Sequence, residues 1–193
     1  MERNFETVML EQCAPVLASL KPGGLFRYET RDSADLARRV KNWNVQLEPK
    51  GLRVRVLKGC VLTHRYLVYV YRANRLAAVL QDPAVRNFLA RTGYRLPRQG
   101  QPWQTLLDQL SQRLCCEGEF PHEIGVFLGY PLNDLKSFIN DPNEGCLLVG
   151  EWKVYHDREE AEKLFGRYNS CRKALVRQIT ERGKTLAEIF AAA

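Results

Sequence analysis

The sequence has no apolar run approaching the ~20 residues that cross a bilayer, so no membrane-spanning helix is expected. It has no CxxC pair, no GxxxxGK(S/T) loop and no GxGxxG turn, which excludes the common redox, P-loop and dinucleotide signatures. The turn Lys21-Pro22-Gly23-Gly24 leads into a strand rather than a helix, the wrong context for a phosphate cradle. His122-Glu123 begins like a zinc-protease motif, but Val126 stands where HExxH needs its second histidine. The chain has no internal repeat and no low-complexity tract beyond its last three alanines. Its start, MERNFETVMLEQ, has neither the basic opening nor the continuous apolar core of a signal peptide, and a cytoplasmic location is expected. The six cysteines, Cys13, Cys60, Cys115, Cys116, Cys146 and Cys171, read as reduced small side chains, because a chain of 193 residues needs no disulfide framework.

What the sequence has is unevenly placed positive charge. Residues 21–98 hold 17 Lys and Arg against 5 Asp and Glu, a balance of +12, while the rest of the chain holds 12 against 17, or −5. The two add to the net +7. A basic half points to an anionic partner: an acidic protein, nucleic acid or a phosphate-bearing ligand. The plainer reading is a solvated surface that aids solubility.

Periodicity predicts a helix over 4–13, interrupted by Pro15, then a strand over Leu25–Glu29. A capped helix over about 34–47 follows, with Leu36, Val40, Trp43 and Leu47 on one face. LRVRVL at 52–57 alternates as a half-buried strand, and Tyr66–Tyr71 is apolar on both faces, as a central strand is. Helices are expected over Asn74–Gln81, Pro83–Arg91 and Gln104–Cys115, with 93–103 as the one hinge-like loop. A short strand at Glu151–Tyr155 and a long helix from Asp157 to Gly183 close the chain. The expected fold is α+β: one domain over 1–193, with a small mixed sheet of about four strands covered by helices and a long C-terminal helix. The helix between the first two strands predicts a parallel crossover, with the third strand antiparallel to the second.

The densest local code is FPHEIGVFLGYPLNDLKSFI at 120–139, two helices joined at a corner. Pro121 suits a first helical position, and Ile124, Phe127 and Leu128 form an apolar face. Gly129 suits a left-handed stop, and Pro131 opens a second helix with Leu132, Leu135, Phe138 and Ile139 inward. Asn133, Asp134, Lys136, Ser137 and Asn140 are expected on its exposed face. Together with GEWKVYHD at 150–157, FGRYNSC at 165–171 and QCAPVLASLKPGGLF at 12–26, this run resembles the family called domain of unknown function 3793 over nearly the whole chain. The resemblance implies a soluble bacterial protein, mostly of anaerobes, with relatives near iron-acquisition and flavodoxin genes. It implies no chemistry.

His122 and Glu123 are the most suggestive polar pair, able to transfer a proton or bind metal, with Cys13, Tyr130 or Tyr155 as a third group. The plainer reading is that Glu123 caps its helix or ties down a neighbouring segment, while His122 tethers a loop. Arg38, Arg39, Arg53 and Arg55 are the candidate anion-binding residues, with Tyr66 or Tyr71 as stacking rings should the anion be nucleic acid. The leading reading is a non-catalytic binding protein for an acidic partner, linked to iron or flavodoxin metabolism. A small enzyme or metal protein on His122, Glu123 and Cys13 comes next, and a nucleic-acid module third. No cofactor, metal or oligomeric state is assigned.

Overall fold

The strand apolar on both faces, β3 (Arg65–Arg72), lies at the centre of a three-stranded sheet, between β1 (Gly23–Glu29) and β2 (Leu52–Cys60). The computed structural model describes residues 4–98, 100–115, 120–184 and 186–191. The chain separates into two compact units, one of residues 1–73 with 166–193 and one of residues 74–165. We call them the sheet unit and the helical unit and describe each by itself.

Both outer strands run antiparallel to β3, from Leu25 opposite Tyr69 and from Val54 opposite Val70. β1 and β2 are therefore parallel to each other but not neighbours. The expected crossover through α2 (Ser33–Leu47) exists, with β3 inserted into it, so every hydrogen-bonded strand pair described is antiparallel and the sheet is not mixed. The reason lies in β3. A tight connection, Val61–His64, folds it back on β2, and a strand with Val68 and Val70 on one face and Tyr69 and Tyr71 on the other is buried best at the centre. A bulge at Leu57 shifts the β2 register while keeping that side chain buried.

Helix α1 (Phe5–Leu17) packs on the sheet. The Phe5 ring meets Phe26 and Tyr28 edge-on at 5.4 and 5.1 Å between centroids. A Cβ on Gly24 would lie 3.0 Å from Cys13 Sγ, so the helix approaches here because the strand offers no side chain. Pro15 does not interrupt α1, contrary to expectation. A proline removes the donor for the carbonyl four residues back. That carbonyl, of Glu11, accepts instead from Arg172 Nε at 2.9 Å. The donor sits in α8 (Arg158–Thr180), the long helix that begins in the helical unit and ends in the sheet unit. Asn44 of α2 donates to and accepts from the backbone of Val54, both at 2.8 Å, as a neighbouring strand would on the open edge of β2.

The helical unit holds α3 (Ala73–Gln81), whose first residue belongs to the sheet unit, and then α4 (Pro83–Arg91) and α5 (Thr105–Cys115). The corner follows with α6 (Ile124–Phe127) and α7 (Leu132–Asn140), then a two-residue ladder of β4 (Leu148–Val149) on β5 (Lys153–Val154). α6 is shorter than the sequence suggests, because 121–123 form a turn rather than its first residues. It ends as expected: Gly129 has φ 76°, its N–H reaches Val126 O at 3.0 Å, and Tyr130 N–H reaches Gly125 O at 2.9 Å. A last helix, α9 (Leu186–Ala191), contributes Leu186 to the core of the sheet unit.

Candidate functional site

In the helical unit one carboxylate gathers more donors than any residue singled out from sequence. Asp134, in the first turn of α7, is only 3% exposed. It turns inward beside Leu135 rather than outward with Asn133 and Lys136, which corrects the sequence expectation. Its Oδ2 accepts the Trp152 indole N–H at 2.7 Å. Its Oδ1 accepts the backbone N–H groups of Tyr155 at 3.0 Å and His156 at 2.9 Å, and lies 3.1 Å from His156 Nδ1. A buried carboxylate is tolerated when its lone pairs are filled in this way. The ring of Trp152 meets Phe165 edge-on at 4.6 Å and Tyr130 at 5.3 Å. Asp157 then takes φ 46° before α8 begins. Asp134, Trp152 and His156 border a cleft of about 690 Å³, within the range of small-molecule sites.

Glu123 belongs to a second network. It makes no cap to its own helix. Its Oε1 accepts from Arg113 Nη1 at 3.1 Å and from the Tyr94 hydroxyl at 3.3 Å, and it is 7% exposed. Arg113 also donates to Thr92 O at 2.6 Å and lies over the Tyr94 ring at 4.4 Å. Burial, then the Glu123 charge, pushes the Tyr94 hydroxyl well above the ordinary tyrosine range. Glu123 thus ties the 92–94 segment to α5. His122 is exposed and lies against the rings of Phe138 at 5.1 Å and Phe120 at 6.4 Å. The two residues face different partners, and Tyr130 faces Trp152. Cys13 belongs to the sheet unit and is fully buried, and burial pushes its thiol up to about 12, so it is not a thiolate at neutral pH. Within the helical unit His122, Glu123 and Tyr130 are not brought to one point, and Cys13 is enclosed in the sheet unit. Among the described residues no group of three or more His, Cys, Asp or Glu could hold a metal ion.

The candidate arginines of the sheet unit are occupied. Arg38 Nη2 meets Asp35 at 2.5 Å, and Arg39 meets Asp35 at 2.6 Å and Glu6 at 3.3 Å. Hydrogen bonding from Arg39 holds the Asp35 carboxyl below its usual range. Arg53 pairs with Glu48, and Arg55 is not free. Tyr66 and Tyr71 are buried and present no open ring face. In the helical unit, by contrast, Arg91, Arg95 and Arg98 are exposed, with no ion-pair partner among the described residues. Their segment is held firmly: the Gln109 amide accepts from Arg95 N at 2.7 Å and donates to Arg95 O at 2.9 Å. Arg86 Nη2 reaches Pro97 O at 3.4 Å.

Sequence reasoning missed Asp134, His156, Arg113 and Tyr94. Nothing in the periodicity of α7 separates Asp134 from its exposed neighbours. The only signal was the run GEWKVYHD, whose Trp152, Tyr155 and His156 supply all four of its donors.

The family model described as "Protein of unknown function (DUF3793)" matches residues 9–190. No curated protein and no solved structure matches the chain.

Proposed function

We propose that this chain, which belongs to the DUF3793 family, is a non-catalytic accessory protein that meets an acidic macromolecule through Arg91, Arg95 and Arg98. The observation that carries this reading is the contrast in charge pairing. Arg38, Arg39 and Arg53 are neutralised by Asp35, Glu6 and Glu48, whereas the three arginines of 91–98 are exposed and unpaired among the described residues. Arg38, Arg39, Arg53 and Arg55 then add to the long-range field rather than to the contact. The backbone of the segment is already hydrogen-bonded to Gln109 and Arg86, which limits the main-chain order lost on docking, and its guanidinium groups suit clustered carboxylates. Nucleic acid is the weaker alternative, because the tyrosines that would stack on bases are buried.

An acidic electron carrier of the flavodoxin type, in a cytoplasm short of iron, is the first partner to test. Binding is measured by calorimetry at low and high salt. The expected result is affinity that falls steeply as salt rises and is lost when Arg91, Arg95 and Arg98 are all changed to Glu. Binding indifferent to salt and to that triple change refutes the reading.

A further inference from the structure

We propose that the cleft beside Asp134 and His156 is a binding site for a small organic cation, a protonated amine with an apolar body. This inference does not depend on the acidic-partner reading, which uses a different surface of the helical unit.

Three observations carry it. The first is His156. Asp134 Oδ1, itself buried, lies 3.1 Å from Nδ1, and the same oxygen fixes the His156 backbone N–H at 2.9 Å. Ring and main chain are thus located by one anchor. In the neutral imidazole a carboxylate partner makes Nδ1 the donor, which leaves Nε2, on the opposite edge, as an acceptor. The side chain is half exposed and borders the cleft.

The second is the charge of the lining. Asp82, Asp157 and Glu160 line the cleft against the single ammonium of Lys136, and the buried Asp134 is met by a ring and by neutral N–H groups. Asp82 spends one oxygen capping α4, accepting from Ala84 N at 2.8 Å and Val85 N at 3.1 Å. Glu160 is only loosely held, 3.8 Å from Lys163.

The third is the remaining wall. Val79, Val85, Leu132 and Leu164 provide apolar surface, and the cleft, about 690 Å³, has room for a hydrocarbon chain beside a charged head. An ammonium carries three donors. The His156 Nε2 acceptor and the carboxylates of Asp157 and Glu160 can receive them, while an anion would meet net repulsion.

The test uses three probes of one shape and different charge: hexylamine, hexanol and hexanoate. Each is titrated into the full chain while the Trp152 indole N–H and the His156 backbone N–H are followed by nuclear magnetic resonance. Hexylamine should shift both resonances saturably, hexanol more weakly, and hexanoate not at all. The double change Asp157→Asn with Glu160→Gln, at exposed positions outside the Asp134 network, should keep the amide spectrum and weaken hexylamine about tenfold, as expected for losing charge-assisted contacts. Lys136→Ala should tighten it. The proposal is overturned if hexanoate binds as well as hexylamine, if hexylamine leaves Trp152 and His156 unmoved, or if the double change has no effect.

Discussion

Replacing Asp134 with Asn removes one charge and keeps the shape, which makes it the sharpest probe of how the helical unit is tied together. Asp134 offers two acceptor oxygens to four donors: Trp152 Nε1, the backbone N–H groups of Tyr155 and His156, and the His156 ring. Asn offers one oxygen and an NH₂ group. With its oxygen toward the two backbone N–H groups, the NH₂ confronts the Trp152 indole N–H. With the amide reversed, the NH₂ confronts both backbone donors. Either way at least one buried donor loses its acceptor, a loss of roughly 1–3 kcal/mol. The remaining bonds fall from charge-assisted to neutral strength as well. The sum is about 3 kcal/mol, which in a protein of this size lowers the melting temperature by very roughly 6–12 °C.

Amide hydrogen exchange gives the local readout. Protection of the Tyr155 and His156 N–H groups should fall in Asp134→Asn while the β3 amides of the sheet unit keep theirs. His156→Ala, which leaves both backbone donors on Asp134, should cost much less. If Asp134→Asn matches the wild type within about 0.5 kcal/mol, the level of an ordinary surface substitution, the carboxylate is not the anchor described here.

Glu123→Gln should destabilise by about 1–3 kcal/mol in a denaturant titration, because it uncouples Arg113 in a part-buried setting, whereas His122→Ala should stay within about 0.5 kcal/mol. Hydrogen bonding from the Thr63 side chain lowers the Cys60 thiol below its ordinary value, so its thiolate persists to lower pH. Iodoacetamide near neutral pH should therefore label Cys60 quickly and leave Cys13 unlabelled until the protein unfolds, as mass spectrometry of the digested protein would reveal; equal rates would contradict both assignments. Arg172→Ala should cost about 1 kcal/mol by leaving Glu11 O without its donor, and it should cost less when Pro15 is also changed to Ala, because the alanine N–H can then reach that carbonyl.

Much of the fold was legible because it is written in local pattern. The alternation of LRVRVL, the two-faced apolarity of LVYVY and the stripe Leu36, Val40, Trp43, Leu47 each name an element and its inward face; Leu52, Val54, Val68, Val70, Leu36, Trp43 and Leu47 are buried, while Val40 and Val56 are half-buried. Gly129 names its own stop. What local pattern cannot carry is neighbour choice between strands. The segment β1–α2–β2 reads the same whether its strands touch or admit a third between them. The insertion of β3 depends on its being the strand with two apolar faces, a comparison among all three. Pro15 fails for a related reason: a proline breaks a helix unless a distant donor rescues the carbonyl, and Arg172 lies 157 positions beyond Pro15.

The site was less legible because its central residue breaks the rule that made the fold readable. Hydrophobic periodicity assigns faces by treating acids as outward, and on α7 it therefore sends Asp134 to solvent with Asn133 and Lys136. Its burial is set by donors that arrive 18 to 22 residues later, in a segment whose own pattern announces only a short strand and a helix start. The same rule misjudged charge in the opposite sense. Counting Arg38, Arg39 and Arg53 as a cationic face ignores Asp35 and Glu48, which lie within a few residues of them, and Glu6, which does not. A count along the chain gives the field far from the molecule, but which cations remain free to touch a partner depends on pairing. By that criterion the segment 91–98, which carries Arg91, Arg95 and Arg98 and no acidic residue, is a stronger docking candidate than the four arginines the sequence singled out.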